Sequence, residues 1–196
     1  MWSKLEGSMI WNEAKASYAF PAGRHYHDFD HVLRLYDIAA ERGMTHTMAL
    51  DLAILAHDVI YDDQPHKEHR SAEWLIKHAT YFDREVVRHA VRLILSTVRH
   101  RPGGDDRLAL LDLYEFSDFQ RSLANRELLV REFRELAGID RATFLKGNVE
   151  FLHALAKDIA DRLNAADPGD RADWIAVMRG IKALAEHEPV EKKCAA

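Results

Sequence analysis

Apolar residues recur at intervals of three and four along almost the whole chain, as at Leu108, Leu111 and Tyr114 or at Leu145, Val149, Leu152, Ala156 and Ile159. That spacing lines one face of a helix, and no segment shows the strict alternation of a half-buried strand. Proline and glycine punctuate the pattern at Pro21-Ala22-Gly23, Arg42-Gly43, Gln64-Pro65, Pro102-Gly103-Gly104, Ala137-Gly138 and Asp167-Pro168-Gly169. The pattern predicts roughly eight helices, over about 4–18, 28–42, 46–60, 68–80, 83–98, 105–136 with a break or bend, 140–165 and 170–187. The linkers are short, and no repeat, low-complexity stretch or charge run marks a boundary. The expectation is therefore one all-α helical bundle spanning residues 1–196, with the helices from about 140 to 187 serving as packing layers.

Composition narrows the picture. With 196 residues, of which 47% are hydrophobic and 30% charged, the chain can bury a real core. Its 27 basic residues are outnumbered by 32 acidic ones and form no Lys/Arg block, so extended binding to a nucleic-acid backbone is not expected. Polar residues interrupt the N-terminal stretch around Trp2, Lys4, Glu6 and Trp11, so neither a signal peptide nor a membrane span is predicted and the cytoplasm is the expected location. Cys194 is the one cysteine, which rules out an internal disulfide and a metal site built on several thiolates; no role is assigned to it. Twelve histidines stand out, because imidazole both binds metals and titrates near neutrality.

The sharpest chemical signal is the doublet His57-Asp58, which closes the apolar run Leu52-Ala53-Ile54-Leu55-Ala56. Two ionisable groups at the end of a buried helix need a partner to offset lost hydration, and a cation or neighbouring backbone groups can serve. Upstream, His31 opens the periodic stretch Val32, Leu33, Leu35, Tyr36, Ile38 and Ala39, which places it at the core-facing start of a helix. Downstream, Asp112 is a lone carboxylate within Leu108-Ala109-Leu110-Leu111-Asp112-Leu113. Such a group is expected to be neutral, hydrogen-bonded or metal-bound. Imidazoles with carboxylates suit Mn, Fe, Co, Ni or Zn better than Ca.

In this order the residues resemble the HD superfamily, and in particular a branch of metal-dependent phosphohydrolases, over roughly residues 11 to 155. The resemblance rests on Trp11 and Tyr18, Arg24, Tyr26-His27 and His31, then His57-Asp58 with Tyr61-Asp62, Glu68 with Ser71-Ala72, Thr97 with His100, Asp112-Leu113 and Val130-Arg131-Glu132-Phe133. Two positions depart from the family pattern. Lys67 stands where asparagine is usual, and Leu110 where an acidic residue often precedes the ligand aspartate.

The resemblance implies that His31, His57, Asp58 and Asp112 hold a divalent transition metal, with Mg a further candidate, and that the ion activates water for hydrolysis of a small phosphate ester such as a nucleotide. Asp58 and Glu68 would be catalytic. Glu68 reads equally as an attacking-water base or proton donor and as an ordinary first-turn carboxylate. Arg24, His27 and His100 are candidates to grip the phosphate, while the dipeptide Arg131-Glu132 is expected to make an ion pair between helices. His46, His66, His69, His89, His153 and His187 read as solvated, and His78 with His100 as the ligands a second metal would need. Alternatives are a di-iron oxygenase on the same scaffold and a non-catalytic helical module cross-linked by metal. A homo-oligomer is compatible with all three.

Overall fold

Over residues 2–62 and 64–187, which the computed structural model describes, nine α-helices follow one another with no β-strand. They are α1 (Met9–Tyr18), α2 (Phe29–Glu41), α3 (Met48–Ala56), α4 (Lys67–His78), α5 (Arg84–Ser96), α6 (Arg107–Leu113), α7 (Phe119–Ala137), α8 (Arg141–Arg162) and α9 (Arg171–His187). Cys194 lies outside the described residues. Polar side chains set many of the starts: Ser8, Asp28, Thr47, Asp83, Asp118 and Asp140 each accept a backbone N–H of the first turn they precede. The break expected within 105–136 falls at a short 3-10 turn, Tyr114–Ser117, before Asp118 caps α7. No described helix is long and apolar enough to cross a membrane.

The first helix begins at Met9 rather than near residue 4 because the segment before it is tied elsewhere. Fully buried Asp51 accepts from the Ser3 hydroxyl at 2.6 Å and the Lys4 amide at 2.8 Å. His46, read above as solvated, places Nε2 2.8 Å from the same carboxylate. A buried carboxylate needs such donors, and they pin residues 3–5 across the start of α3.

Every residue of α3 from Ala49 to Ala56 is buried, as its unbroken apolar sequence requires, and α3 packs against α1, α2, α4, α5 and α6. Each of Leu50, Leu52, Ile54 and Leu55 withdraws a whole side chain from water, worth about 2 kcal/mol apiece. The core is divided. One cluster joins α1 to α5 and takes Leu108 and Leu111 from α6. The other joins α8 and α9 and takes Ala109, Leu110 and Leu113 from the opposite face of α6. Apart from Arg107 at its start, α6 has one polar side chain, Asp112, and it sits at the seam between the two clusters.

The second cluster depends on a close backbone approach. A Cβ at Gly180 of α9 would lie 1.7 Å from the Phe116 carbonyl oxygen and 2.7 Å from its carbon. Gly180→Ala is therefore expected to destabilise the fold by about 3 kcal/mol, since displacing backbone outweighs the gain of roughly 1 kcal/mol in helix propensity. A denaturant titration would measure this; stability equal to wild type would mean that α9 can part from the turn at no cost.

Candidate metal centre

The segment that carries the doublet leaves the helical ladder while still buried, so its backbone groups need other partners. Distant side chains supply them. The Asp58 amide donates to the Tyr18 hydroxyl at 3.3 Å, and Ser71 Oγ meets the Ile60 amide at 3.1 Å and its carbonyl at 3.3 Å. Arg24 donates to the carbonyls of Asp58 at 2.6 Å, Val59 at 3.4 Å, His27 at 2.5 Å and Phe20 at 3.4 Å, with its guanidinium over the Tyr18 ring. Arg24 was expected to grip phosphate. Its fork is instead committed to the carbonyls that shape the doublet, and it does not line the cavity described below.

Three helices then bring their donors together. His31 Nε2 lies 3.3 Å from His57 Nε2 and 3.0 Å from Asp112 Oδ1, and His57 Nε2 lies 3.7 Å from the same oxygen. Candidate ligand atoms of His31, His57 and Asp112 all fall within 4.8 Å of one another, the one such group among the described residues. His57 Nδ1 sits 3.0 Å from the Ile54 carbonyl; in the neutral ring that a metal would bind, donating there turns the Nε2 lone pair toward the group. Asp58 stands at the edge of this set. Its Oδ2 is 3.3 Å from His57 Nε2, but it is not part of the mutually close trio.

The electrostatics favour a cation. Burial would lower the His57 imidazole, yet the carboxylates of Asp58 and Asp112 raise it to about 10. Burial would raise Asp112, but contacts with His100, His31 and His57 hold it well below the usual carboxylate range. A buried and a half-buried carboxylate, Asp58 and Asp112, drawing positive charge onto a buried imidazole mark a place where a divalent ion would be stabilised. The trio could thus hold a metal ion, and its nitrogen and oxygen donors fit a transition metal.

Comparison with protein-family models, curated proteins and solved structures finds no match. What the centre can do rests on its own surroundings.

A cavity of about 620 Å³ opens beside it, with Asp112 in its wall and His31 and His57 directly behind. Glu68, at the first turn of α4, lines the same cavity. So does Lys67, noted in the sequence only as a departure from a pattern, with Nζ 3.6 Å from the centre of the Tyr61 ring. His100 lies past the end of a helix. α5 ends at Ser96, and His100 occupies a left-handed position, φ 44°, that aims Nε2 to within 2.6 Å of Asp112 Oδ2. His78 is turned away, its Nδ1 2.7 Å from the Trp74 carbonyl and its ring stacked on that tryptophan. The pair His78 and His100 therefore does not assemble a second metal site.

His27 lines the cavity too, stacked on Tyr61 with 4.0 Å between ring centres and with Nε2 4.0 Å from Asp58. Its position is set by Glu132, which with Arg131 was expected to serve an ion pair between helices. Arg131 instead meets Glu135, one helical turn on. Glu132 is fully buried and takes the backbone N–H groups of His25, Tyr26 and His27 at 2.9, 2.9 and 3.0 Å, with His27 Nδ1 at 2.6 Å. Buried Glu115, which no sequence pattern marks, also lines the cavity and accepts from Tyr26 at 3.2 Å and Asn125 at 3.1 Å. α8, expected as a packing layer, contributes Phe144, Gly147, Asn148 and Phe151 to the far wall.

Proposed function

We propose that the protein is a metal-dependent phosphohydrolase acting on a small phosphate ester. The observation that carries this reading is the trio of buried His31 and His57 with half-buried Asp112, set against a cavity of about 620 Å³ that also presents Glu68, Lys67 and His100. His31, His57 and Asp112 would hold the ion, with Asp58 adjoining through His57. Mn, Fe, Co, Ni and Zn fit the donor set, and Mg remains a candidate. When bound, a divalent ion lowers the pKa of water and neutralises charge developing on phosphorus.

The chain's own residues divide the remaining work. Lys67 brings a positive charge to the cavity for the phosphate oxygens, in the role first given to Arg24. His27 and His100 border the same space, each anchored on a carboxylate through one nitrogen. Glu68 takes a proton from the attacking water as its oxygen bonds to phosphorus and the ester P–O bond breaks; that proton passes to the leaving alkoxide, giving an alcohol and inorganic phosphate. The di-iron oxygenase alternative has less support: among the described residues one such donor group assembles, and His78 faces Trp74. A purely structural cross-link would have no use for the cavity.

Elemental analysis of protein purified without chelator, followed by a screen of nucleotides and small phosphate esters with Mn, Co, Ni and Mg, tests the reading. The expected result is bound metal and hydrolysis that chelation abolishes. Metal-free protein that hydrolyses nothing with any of these ions would overturn it. Within that assay, Glu68→Gln should retain the metal and lose about a hundredfold in turnover. Loss of metal would make Glu68 a ligand instead, and full activity would make it an ordinary surface carboxylate.

A further inference from the structure

We propose that the substrate carries a bulky apolar organic group, seated between α7 and α8 against Gly147, while its phosphate faces the metal end of the cavity. The proposal rests on the phosphohydrolase reading, and it names the class of ester. A volume of about 620 Å³ is that of a site for a drug-sized ligand, so much of it is left for the organic group.

The cavity is chemically divided. Around Asp112 it presents charged and imidazole groups, whereas its far part is walled chiefly by Phe116, Leu129, Phe133, Phe144 and Phe151, with Arg126, Thr143 and Asn148 as polar groups among them. Phe133 and Phe144 already meet, with ring centres 5.1 Å apart, and Asn125 there spends its amide on Glu115. A sugar or a polar base placed against these rings would lose water that the few polar groups beside them repay only in part, whereas an aryl or alkyl group would gain. Val98 and Phe151, at 44% and 55% exposure, are two of the more exposed large apolar residues of the protein, and both line this cavity. A ligand would cover them.

Gly147 is the residue the fold leaves unexplained. It lies inside the 22-residue helix α8, where glycine is unfavourable, and it has neither a left-handed backbone nor a close neighbour. A Cβ there would meet nothing within 4 Å. Packing does not ask for glycine at this position. It lines the cavity one turn from both Phe144 and Phe151, so its missing side chain holds open the space between them.

The test is calorimetric binding of non-hydrolysable phosphonates to Mn(II)-loaded protein, which does not depend on turnover. Naphthylmethylphosphonate should bind at least about thirtyfold more tightly than methylphosphonate, the factor for burying roughly 80 Å² of apolar surface at about 25 cal/mol per Å². A nucleoside phosphonate of similar size should gain much less. Gly147→Leu, which fills the gap and improves helix propensity, should erase the naphthyl preference, leave methylphosphonate affinity unchanged and not lower the melting temperature. Phe151→Ala should reduce the same preference. Equal binding of all three phosphonates, or a naphthyl preference untouched by Gly147→Leu, would overturn the apolar subsite while leaving the phosphate end intact. Failure of every phosphonate to bind would overturn the phosphohydrolase reading and this inference with it.

Discussion

Glu132→Ala is expected to lower the unfolding free energy by on the order of 4 kcal/mol, a large share of the roughly 5–15 kcal/mol that holds a typical domain together. The carboxylate is fully buried and is the common acceptor for three consecutive backbone N–H groups and the His27 imidazole. Alanine would leave those donors without partners in a place water does not reach, and α7 would lose its tie to the loop before α2. Glu132→Gln keeps an acceptor oxygen but not the charge, and should cost about half as much. The pH dependence follows from the same contacts. Burial would raise the Glu132 pKa, but the His27 ring and the backbone amides bring it down from 4.5 to about 2. A depressed carboxylate contributes its stability in full above the unfolded value and loses it as pH falls from about 4.5 toward 2, an amount on the order of 3 kcal/mol. His27, lowered chiefly by burial despite Glu132 and Asp58, acts in the same direction, because its imidazole charges more readily once unfolded. Wild-type stability should thus begin to fall as pH drops through about 6.5, with the Glu132 share following below 4.5. Urea titrations of wild type and Glu132→Ala at neutral and acid pH measure both effects. A variant within about 0.5 kcal/mol of wild type would mean that the loop holds itself.

The contrast between Glu132 and His57 shows what was legible in the sequence. Helical periodicity placed the helices, including the interruption between α6 and α7, and an apolar run ending in His57-Asp58 marked a buried helix end that needed a partner. His31 at the start of one apolar face and Asp112 within another were readable for the same reason: each polar group interrupts a local pattern. Glu132 interrupts nothing. It lies in a helix rich in charge, and its partners are about a hundred residues away, so its sequence suggested no more than an ion pair between helices. Arg24 misled in the opposite sense, since an arginine near histidines has the chemistry to bind phosphate, but its donors were needed by a non-helical buried segment. The cavity was the least legible feature. Its far wall comes from α7 and α8, whose apolar positions look alike whether they face another helix or an open cleft.

Asp112→Ala should remove bound metal and lower phosphate-ester hydrolysis by at least about a hundredfold, with a larger effect than Asp58→Ala. The resemblance in sequence gave Asp58 and Asp112 comparable places among the ligands, but the geometry separates them. Asp112 meets His31 and His57 through Oδ1 at 3.0 and 3.7 Å and His100 through Oδ2 at 2.6 Å. Asp58 meets His57 at 3.3 Å and reaches His27 only at 4.0 Å. Alanine at 112 therefore deletes the one carboxylate of the mutually close donor set and leaves two imidazoles, a site poor in both ligand number and charge for a divalent ion. It also frees His100, whose left-handed backbone is held against the site by that contact. Alanine at 58 leaves all three donors in place and removes a neighbouring negative charge, so metal should bind more weakly rather than vanish. Elemental analysis and melting curves with and without added Mn(II), run on both variants, separate these cases. If metal raises the melting temperature of wild type and of Asp58→Ala but not of Asp112→Ala, the ion is held where the trio converges. An Asp112→Ala protein that keeps wild-type metal content and stabilisation would place the ion elsewhere, and wild-type hydrolysis in the same protein would move the active site with it.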